Sequence, residues 1–305
     1  MASDTFHDPL TLEHLLGHVK DSTDFHLPRA FGEHIHIPQP FAGMAEKPIF
    51  EGSKLPAPLN EFIEPWNFQI TRFMVLEVVV SIIIVALFAM LAGKVKSGVP
   101  KGKFWNLLEV FLVFIRDEIA RPTIGKHDAD RFLPYLWTIF FFVLGCNLIG
   151  MVPWMGSPTG AFATTGTLAF ITFGVVLVSG MKALGAVGFW KAQVPHMDLP
   201  GPMAILIKPM VFAIEVLGLF IKHFVLAVRL LANMVAGHLV LGVLTAFVAA
   251  ICYYSSSYVI AVPVSFVSVL GATGLSLLEL FVAFLQAYIF TFLSALFIGS
   301  AVHPH

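Results

Sequence analysis

One arginine stands inside a long apolar stretch of this 305-residue chain. Arg229 is the only side chain with a permanent charge in the run FVLAVRLLANMVAGH, which extends from Phe224 to His238. A guanidinium keeps its proton in essentially any environment, because its pKa is above ~12. Holding it at the centre of a membrane costs about 2.5–3.5 kcal/mol on insertion scales. The nearest acids along the chain are Glu215 and Glu279, which favours a partner for this charge on another chain.

Polar side chains recur at helical spacing through the last two apolar segments. At 100° per residue, one helix face carries Glu215, Lys222, Arg229 and Asn233. His238 is nine residues past Arg229, so it points to roughly the opposite side. Glu279 and Gln286 are seven apart and share a face of the last segment. Glutamate and histidine titrate but arginine does not, so the pattern predicts a proton or ion path. The predicted path residues are Glu215, Lys222, Arg229, Asn233, His238, Glu279 and Gln286. His223 is open between a packing role and a proton carrier.

Composition places the chain in a membrane. It is 57% hydrophobic and 12% charged, whereas a soluble domain carries about 25% charge. A net charge of −1 argues against nucleic acid as a partner, which requires a basic face. Cys146 and Cys252 both fall in apolar segments and have no metal-ligand spacing. We therefore expect neither a cofactor nor a metal in the membrane domain.

Hydropathy predicts an all-α polytopic membrane protein with five membrane-crossing helices and one amphipathic surface helix. Asn147, near the end of the second crossing, is typical of a polar contact inside a packed bundle. The alternative for the amphipathic segment is an ordinary buried helix. The charges that flank the segment make this alternative less favourable. The crossings are predicted at 73–91, 132–150, 164–181, 209–262 and 263–298, and the amphipathic helix at 104–121.

The segment from Pro209 to Val262 is too long for one upright crossing. As a single helix it would measure roughly 75 Å, more than twice the ~30 Å hydrocarbon core. It therefore either breaks into two spans or lies strongly tilted. Ser255, Ser256 and Ser257 indicate a turn near its end.

Charge in the loops predicts the orientation. The stretch from Lys94 to Arg131 is the most basic, Lys182, Lys191 and Lys208 lie two crossings later, and 151–163 has no Lys or Arg. The positive-inside rule then places the basic loops in the cytoplasm, a polar N-terminal arm (1–71) outside and the C-terminus inside. The membrane domain is 72–305. In the arm, the alternation around His34 and His36 predicts a short extended segment, with a metal site as the less favoured alternative.

The sequence resembles subunit a of the F-type ATP synthase over about Arg131 to the C-terminus. The run LAVRLLANMVAGHL, from Leu226 to Leu239, is similar to one signature of that family, and ELFVAFLQAYIF, from Glu279 to Phe290, to a second. The resemblance implies a static, non-catalytic subunit that abuts a rotating ring of c subunits, with b subunits of a peripheral stalk and the F1 head as further partners. It also implies two proton half-channels and a tilted hairpin over 205–302 facing the c-ring.

Residue roles follow from the same resemblance. Arg229 matches the essential arginine that separates the half-channels, and His238 with Glu279 has the mitochondrial-like arrangement of a pair that is reversed in other members. Asn233, Gln286, Glu215 and Lys222 also match family positions, the outlet half-channel lying near Glu215. Val225 departs from the pattern, because serine can stand there and valine cannot carry a proton. The resemblance implies proton-driven ATP synthesis in a bacterial inner membrane.

Three other functions are alternatives to this one. A sodium-coupled form of the same subunit stays open, because the coupling ion is selected largely on the c subunits. A haem subunit would need facing histidines on paired spans, and His223 and His238 lie on one segment. A secondary transporter would commonly show inverted repeats and broken helices, and no repeat is visible.

Overall fold

A computed structural model describes residues 21–22, 24–26, 34–39, 70–95, 102–152, 155–194, 201–254 and 258–303. Two short strands, β1 (Asp24–His26) and β2 (His34–His36), pair antiparallel in the N-terminal arm, so the predicted extended segment is confirmed at its histidines. The helices are α1 (Arg72–Val95), α2 (Lys103–Phe114), α3 (Arg121–Ile124), α4 (Ala129–Gly150), α5 (Phe162–Leu184), α6 (Ala186–Ala192), α7 (Gly201–Tyr254) and α8 (Tyr258–Val302).

Five helices within the described residues are long and apolar enough to cross a membrane, as the sequence predicts. They are α1, α4, α5, α7 and α8. The hydrophobic core joins α4, α5, α7 and α8, and residues such as Leu136, Val143, Val176 and Phe290 are almost fully buried there. The all-α polytopic class is therefore confirmed.

The described part of the N-terminal arm is fastened to the start of α1. The backbone N–H of Arg72 donates to Ser22 O at 2.9 Å, and that of Phe73 donates to an Asp21 carboxylate oxygen at 3.3 Å. The Gln39 amide exchanges two 2.8 Å hydrogen bonds with the backbone of Ile70. The first amides of a helix lack intrahelical acceptors, so the arm supplies partners that α1 cannot provide itself.

The predicted amphipathic helix is present and continues through a π-helical turn, Ile115–Ala120, into α3. Pro122 in α3 cannot donate a backbone hydrogen bond, which accounts for the local unwinding before it. The helix packs along the first half of α4 rather than apart from the bundle, because Trp137 donates to Leu112 O at 3.1 Å and the Phe111 and Phe140 rings are 5.9 Å apart. In its exposed polar part, a hydrogen bond from Arg116 holds the pKa of the Asp117 carboxyl below its usual range.

Helices α4 and α8 run antiparallel and are joined at both ends. The Asn147 side chain donates to Ala283 O at 3.2 Å near the end of α4, and Asp128, just before α4, is 3.0 Å from His303. Asn147 is fully buried and also accepts a 2.7 Å hydrogen bond from Thr159. The predicted polar contact of Asn147 inside the bundle is therefore confirmed.

The two last helices begin before their predicted bounds, and α7 ends at Tyr254 rather than at Val262. α7 begins at Gly201 and contains Pro209, and α8 begins at Tyr258 and contains Pro263. The boundaries at Pro209 and Pro263 were wrong, because a proline early in a long membrane helix costs one hydrogen bond that neighbouring groups replace. The predicted serine turn at 255–257 lies outside the described residues, between the end of α7 and the start of α8.

Close packing at Gly299 generates the first prediction. A Cβ at Gly299 would collide with the backbone carbonyl of Thr123, whereas one at Gly274, on the same helix, would meet nothing within 4 Å. Gly299→Ala should therefore lower the stability of the detergent-purified protein by about 1–3 kcal/mol, as overpacking does. Thermal unfolding measures this change. Gly274→Ala is the matched control, and equal melting temperatures for the two variants would contradict the packing.

Candidate functional site

The titratable pair His238 and Glu279 lies in the contact between α7 and α8. His238 Nδ1 and Glu279 Oε1 are 3.5 Å apart, slightly longer than a direct hydrogen bond. The side chains are 19% and 7% exposed. Counted from the turn predicted at 255–257, His238 is about 18 residues back and Glu279 about 23 residues on, so an antiparallel hairpin with ~1.5 Å rise per residue puts them at similar depth. This predicts a direct or one-water contact between the two side chains, and the geometry agrees with it.

Antiparallel packing of the two long helices brings this pair together. Two contacts fix the register: His238 meets Glu279, and the His223 ring lies 5.0 Å from that of Phe297. As residue numbers fall along α7 they rise along α8, which is the predicted antiparallel hairpin. Small buried residues on α8, Ala283 among them, allow the close helix approach that membrane bundles favour.

Gly237 makes room for the carboxylate. A Cβ built at this glycine would lie 2.8 Å from Glu279 Oε1 and 3.2 Å from Glu279 Cδ. The carboxylate therefore packs directly on the backbone of α7, next to His238. Among the described residues, Glu279 Oε1 and His238 Nε2 are buried without a hydrogen-bond partner. A carboxylate and an imidazole with spare hydrogen-bonding capacity are suited to taking up and passing on a proton.

The pair lies level with the far end of α4. Glu279 is one helical turn before Ala283, the residue whose carbonyl accepts the hydrogen bond from Asn147. Thr159 donates to Asn147, and its hydroxyl is 2.8 Å from that of Ser157. Uncharged polar groups therefore extend from the 3-10 turn at Pro158–Gly160 toward Glu279.

Arg229 lies on the other side of α7. Its side chain is exposed, as are those of Lys222 and Glu215, while Asn233 is half-buried. The face that packs into the protein carries a different set of residues, so the predicted separation of Arg229 from His238 is observed. This buried face consists of His223, Leu226, Ala227, Leu230 and Met234.

Gln286 is buried on the same face of α8 as Glu279, both being 6% exposed. The helix register places it between the levels of His238 and Arg229. The structure thus brings His238 and Glu279 into contact, keeps Gln286 beside them along α8, and separates them from the exposed face with Glu215, Lys222 and Arg229. Val225 is 44% exposed on that outer face.

His223 has the surroundings of a packing residue. It is 4% exposed, its Nδ1 is 2.8 Å from Leu219 O, and its ring contacts those of Phe173 and Phe297. Within the described residues, its Nε2 is buried without a hydrogen-bond partner. The ring contacts favour the packing role, and the proton-carrier alternative stays open.

Sequence reasoning missed Glu77, the single acid in α1. Thr164 of α5 donates a 2.6 Å hydrogen bond to Glu77 Oε1. The signal was present, because one ionisable residue inside an apolar span is a functional candidate by itself. Among the described residues there is no group of three or more side chains that could hold a metal ion.

Comparison with known proteins identifies the family. The family described as ATP synthase A chain matches residues 74–299. ATP synthase subunit a of Myxococcus xanthus is 38% identical over 275 residues, which are 88% of this chain and 85% of that protein. Subunit a of Chloroherpeton thalassium is 47% identical over 207 residues, or 68% and 57% of the two chains. The subunit of Anaeromyxobacter dehalogenans is 43% identical over 216 residues, or 70% and 53%.

The match thus spans little more than half the length of two of these relatives. The family match at 74–299 includes α7 and α8 almost entirely. It therefore includes the buried pair His238 and Glu279 and the exposed face of α7 with Arg229. By the extent of this match, the chain belongs to the ATP synthase A chain family.

Proposed function

We propose that this chain is the proton-translocating stator subunit of a bacterial ATP synthase. It is a multi-pass membrane protein and, as a subunit a, a component of that complex. The observation that carries the proposal is the buried pair His238 and Glu279 on one side of α7, with the permanent charge of Arg229 on the opposite, exposed side. No covalent chemistry takes place on this chain, and ATP is made or hydrolysed on other subunits.

The inlet half-channel opens on the outer side of the membrane. Charge in the loops supports this orientation, because the basic segments lie at the start of α4 and the end of α5, with the N-terminus outside and the C-terminus in the cytoplasm. Glu279 lies level with the opposite end of α4. Protons from outside therefore reach His238 and Glu279 past Asn147, and Gln286 continues the path along α8 toward the c-ring.

Arg229 faces the c-ring and separates inlet from outlet. Its exposed guanidinium favours the deprotonated form of a passing c-ring carboxylate and repels a hydrated proton. A carboxylate protonated at the inlet is neutral and rotates into lipid; it returns to the outlet after nearly a full turn. Each proton that crosses 100 mV releases about 2.3 kcal/mol, so several protons are needed for each ATP.

The outlet uses the same exposed face of α7. Lys222 and Glu215 lie about two and four turns before Arg229, toward the cytoplasmic end of the helix, and both side chains are exposed. Val225 cannot carry a proton, so release depends on Glu215 and water, with Asn233 lining the c-ring face on the other side of Arg229. The c-ring occupies this face, the b subunits of the peripheral stalk hold the chain in place, and the F1 head is reached through that stalk.

Both long helices lie tilted in the membrane. α8 continues for 21 residues before Glu279, about 30 Å of helix beyond the end of α4. Many of the described side chains at 262–278 are apolar and exposed, for example Phe266 at 70% and Leu270 at 65%. An upright α8 would carry them into water, at about 25 cal/mol per Å² of apolar surface.

Aromatic contacts support an oblique α7. Phe162 and Phe173, eleven residues apart on α5, contact Phe224 and Phe220, which are only four apart on α7. The two helices therefore cross rather than run side by side. A hairpin over 205–302 that crosses the upright spans in this way presents a long face to a rotating ring.

Removal of the Arg229 charge tests the motor directly. Arg229→Ala should abolish ATP-driven proton pumping in inverted membrane vesicles while the complex still assembles. Arg229→Lys should also fail, because a desolvated lysine can lose its proton and has a different reach. Lys208→Ala, at an exposed lysine of the same helix, is the control. Coupled pumping by Arg229→Ala would refute the assignment, and pumping that requires sodium would favour the sodium-coupled form.

Exchange of the buried pair tests whether it acts as one unit. The variant with His238→Glu and Glu279→His should conduct severalfold more protons than either single variant, because each single change leaves two acids or two bases together. Passive proton conductance of F1-stripped vesicles measures the difference. A double variant no better than the worse single one would mean that the two residues act separately.

Gly237 provides a steric test of the same pair. Gly237→Ala should displace the Glu279 carboxylate and lower proton flux about tenfold, since overpacking costs about 1–3 kcal/mol and 1.36 kcal/mol corresponds to a factor of ten in rate. Gly218→Ala on the same helix is the matched control, because its added methyl group meets nothing within 4 Å. Equal flux in the two variants would show that the position of the carboxylate is unimportant.

A further inference from the structure

Glu77 is an acid in the wall of the membrane domain that the proposed path does not yet use. It is the only acid in α1, and it is half-buried between exposed apolar neighbours such as Met74 and Val78. Its Oε1 accepts a 2.6 Å hydrogen bond from the Thr164 hydroxyl. An isolated acid in a span is costly, whereas packing of α1 on α5 could be achieved with a neutral polar side chain.

The carboxylate keeps capacity for other partners. One hydrogen bond from Thr164 uses one of about four acceptor positions on a carboxylate. The side chain is only half-buried, so part of it is open to the surroundings of the protein. Glu77 is therefore placed to exchange protons with groups outside the bundle while Thr164 holds its orientation.

Glu77 lies at the same end of the bundle as the inlet. It is in the second turn of α1, whose first amides bind the arm, and Thr164 is in the first turn of α5. Val80, about one turn after Glu77, packs on Gly145 of α4, where an added Cβ would lie 2.7 Å from Val80 Cγ1; Gly145 is two residues before Asn147. Asn147 connects to Thr159 and to the Ala283 carbonyl, one turn from Glu279.

We propose that Glu77 collects protons at the outer mouth of the inlet half-channel and passes them toward Glu279. The inference rests on the proposed function and adds a first acceptor from α1. Glu77 binds a proton from the outer solution and becomes a neutral acid. It then releases the same proton to water hydrogen-bonded to Asn147 and Thr159, which hands it on to Glu279, and the charge of Glu77 is restored. Among the described residues, the charged or titratable groups near Glu77 include Asp21 of the arm and Arg72 at the start of α1, and Cys146 of α4 is a buried thiol.

Such a role predicts a pH-dependent defect. At alkaline outer pH protons are scarce, and the negative Glu77 carboxylate raises the rate at which the half-channel captures them. At acid outer pH protons are plentiful, so their capture no longer limits proton flow. Glu77→Gln removes the charge and keeps the acceptor for Thr164. In vesicles with reconstituted, complete Fo it should lower passive proton conductance about tenfold at an outer pH near 8, within the 10–10³ range by which charged clefts raise on-rates. The loss should shrink toward pH 6.

The matched control is Glu109→Gln, which neutralises an exposed glutamate of α2 and should leave conductance unchanged. Thr164→Val keeps the Glu77 charge but removes its hydrogen bond, so it should give a smaller defect with the same pH trend. It also provides the test if Glu77→Gln does not accumulate in membranes. An acid needed only for packing would reduce the amount of assembled Fo without changing the pH profile per complex.

The inference is overturned if Glu77→Gln, or Thr164→Val in its place, has a wild-type pH profile per assembled complex. His238→Ala, measured in parallel, separates this result from failure of the proposed function. If the Glu77 variant conducts normally and the His238 variant is blocked, only the role of Glu77 is contradicted. If both variants conduct normally, the proposed inlet at His238 and Glu279 is contradicted as well.

Discussion

The burial of the Glu279 carboxylate is the constraint from which the arrangement of the two long helices follows. An ionised carboxylate in an apolar bundle is strongly unfavourable unless other groups compensate its lost hydration. Here the compensation is local: the imidazole of His238 is 3.5 Å away, and Gly237 lets the carboxylate lie against the helix backbone. Both partners come from α7. The pair therefore depends on this antiparallel register of α7 and α8, because a shift by a single turn would set the acid beside Met234 or Leu241 in place of His238.

The helical period then separates a titratable group and a permanent charge on the same helix, α7. His238 and Arg229 are nine residues apart, which places them on opposite sides of α7. One side is buried with the acid, and the other is exposed with Glu215 and Lys222. A permanent positive charge beside Glu279 would favour its ionised form and hinder its return to the protonated state. In the proposed function, placing the arginine on the far side leaves the buried pair free to gain and lose a proton, and the arginine is available to carboxylates of another chain.

The membrane spans, the two faces of α7 and the depth of the His238–Glu279 pair could be predicted from the sequence, because they depend on hydropathy and on helix geometry. Five spans follow from hydropathy, and the two faces of α7 follow from a spacing of 100° per residue. The depth match of His238 and Glu279 needed only a turn between two helices of known rise. The helix starts at Gly201 and Tyr258 could not be predicted in the same way, because the effect of Pro209 and Pro263 depends on neighbours that replace the missing hydrogen bond. The role of Thr164 as a partner of Glu77 was equally hidden, since the two residues are 87 positions apart.

The approach to Glu279 is built mainly from uncharged polar groups, and there is a physical reason for this choice. Ser157, Thr159 and Asn147 are 3% exposed or less, yet they satisfy one another and the Ala283 carbonyl through short hydrogen bonds. Carboxylates at these positions would each require a partner charge and would compete with Glu279 for the proton. Hydroxyl and amide groups hydrogen-bond to water without binding the proton tightly. In the proposed path, titratable groups are then needed only where a proton must be held, and a path of this composition can be both well packed and conductive.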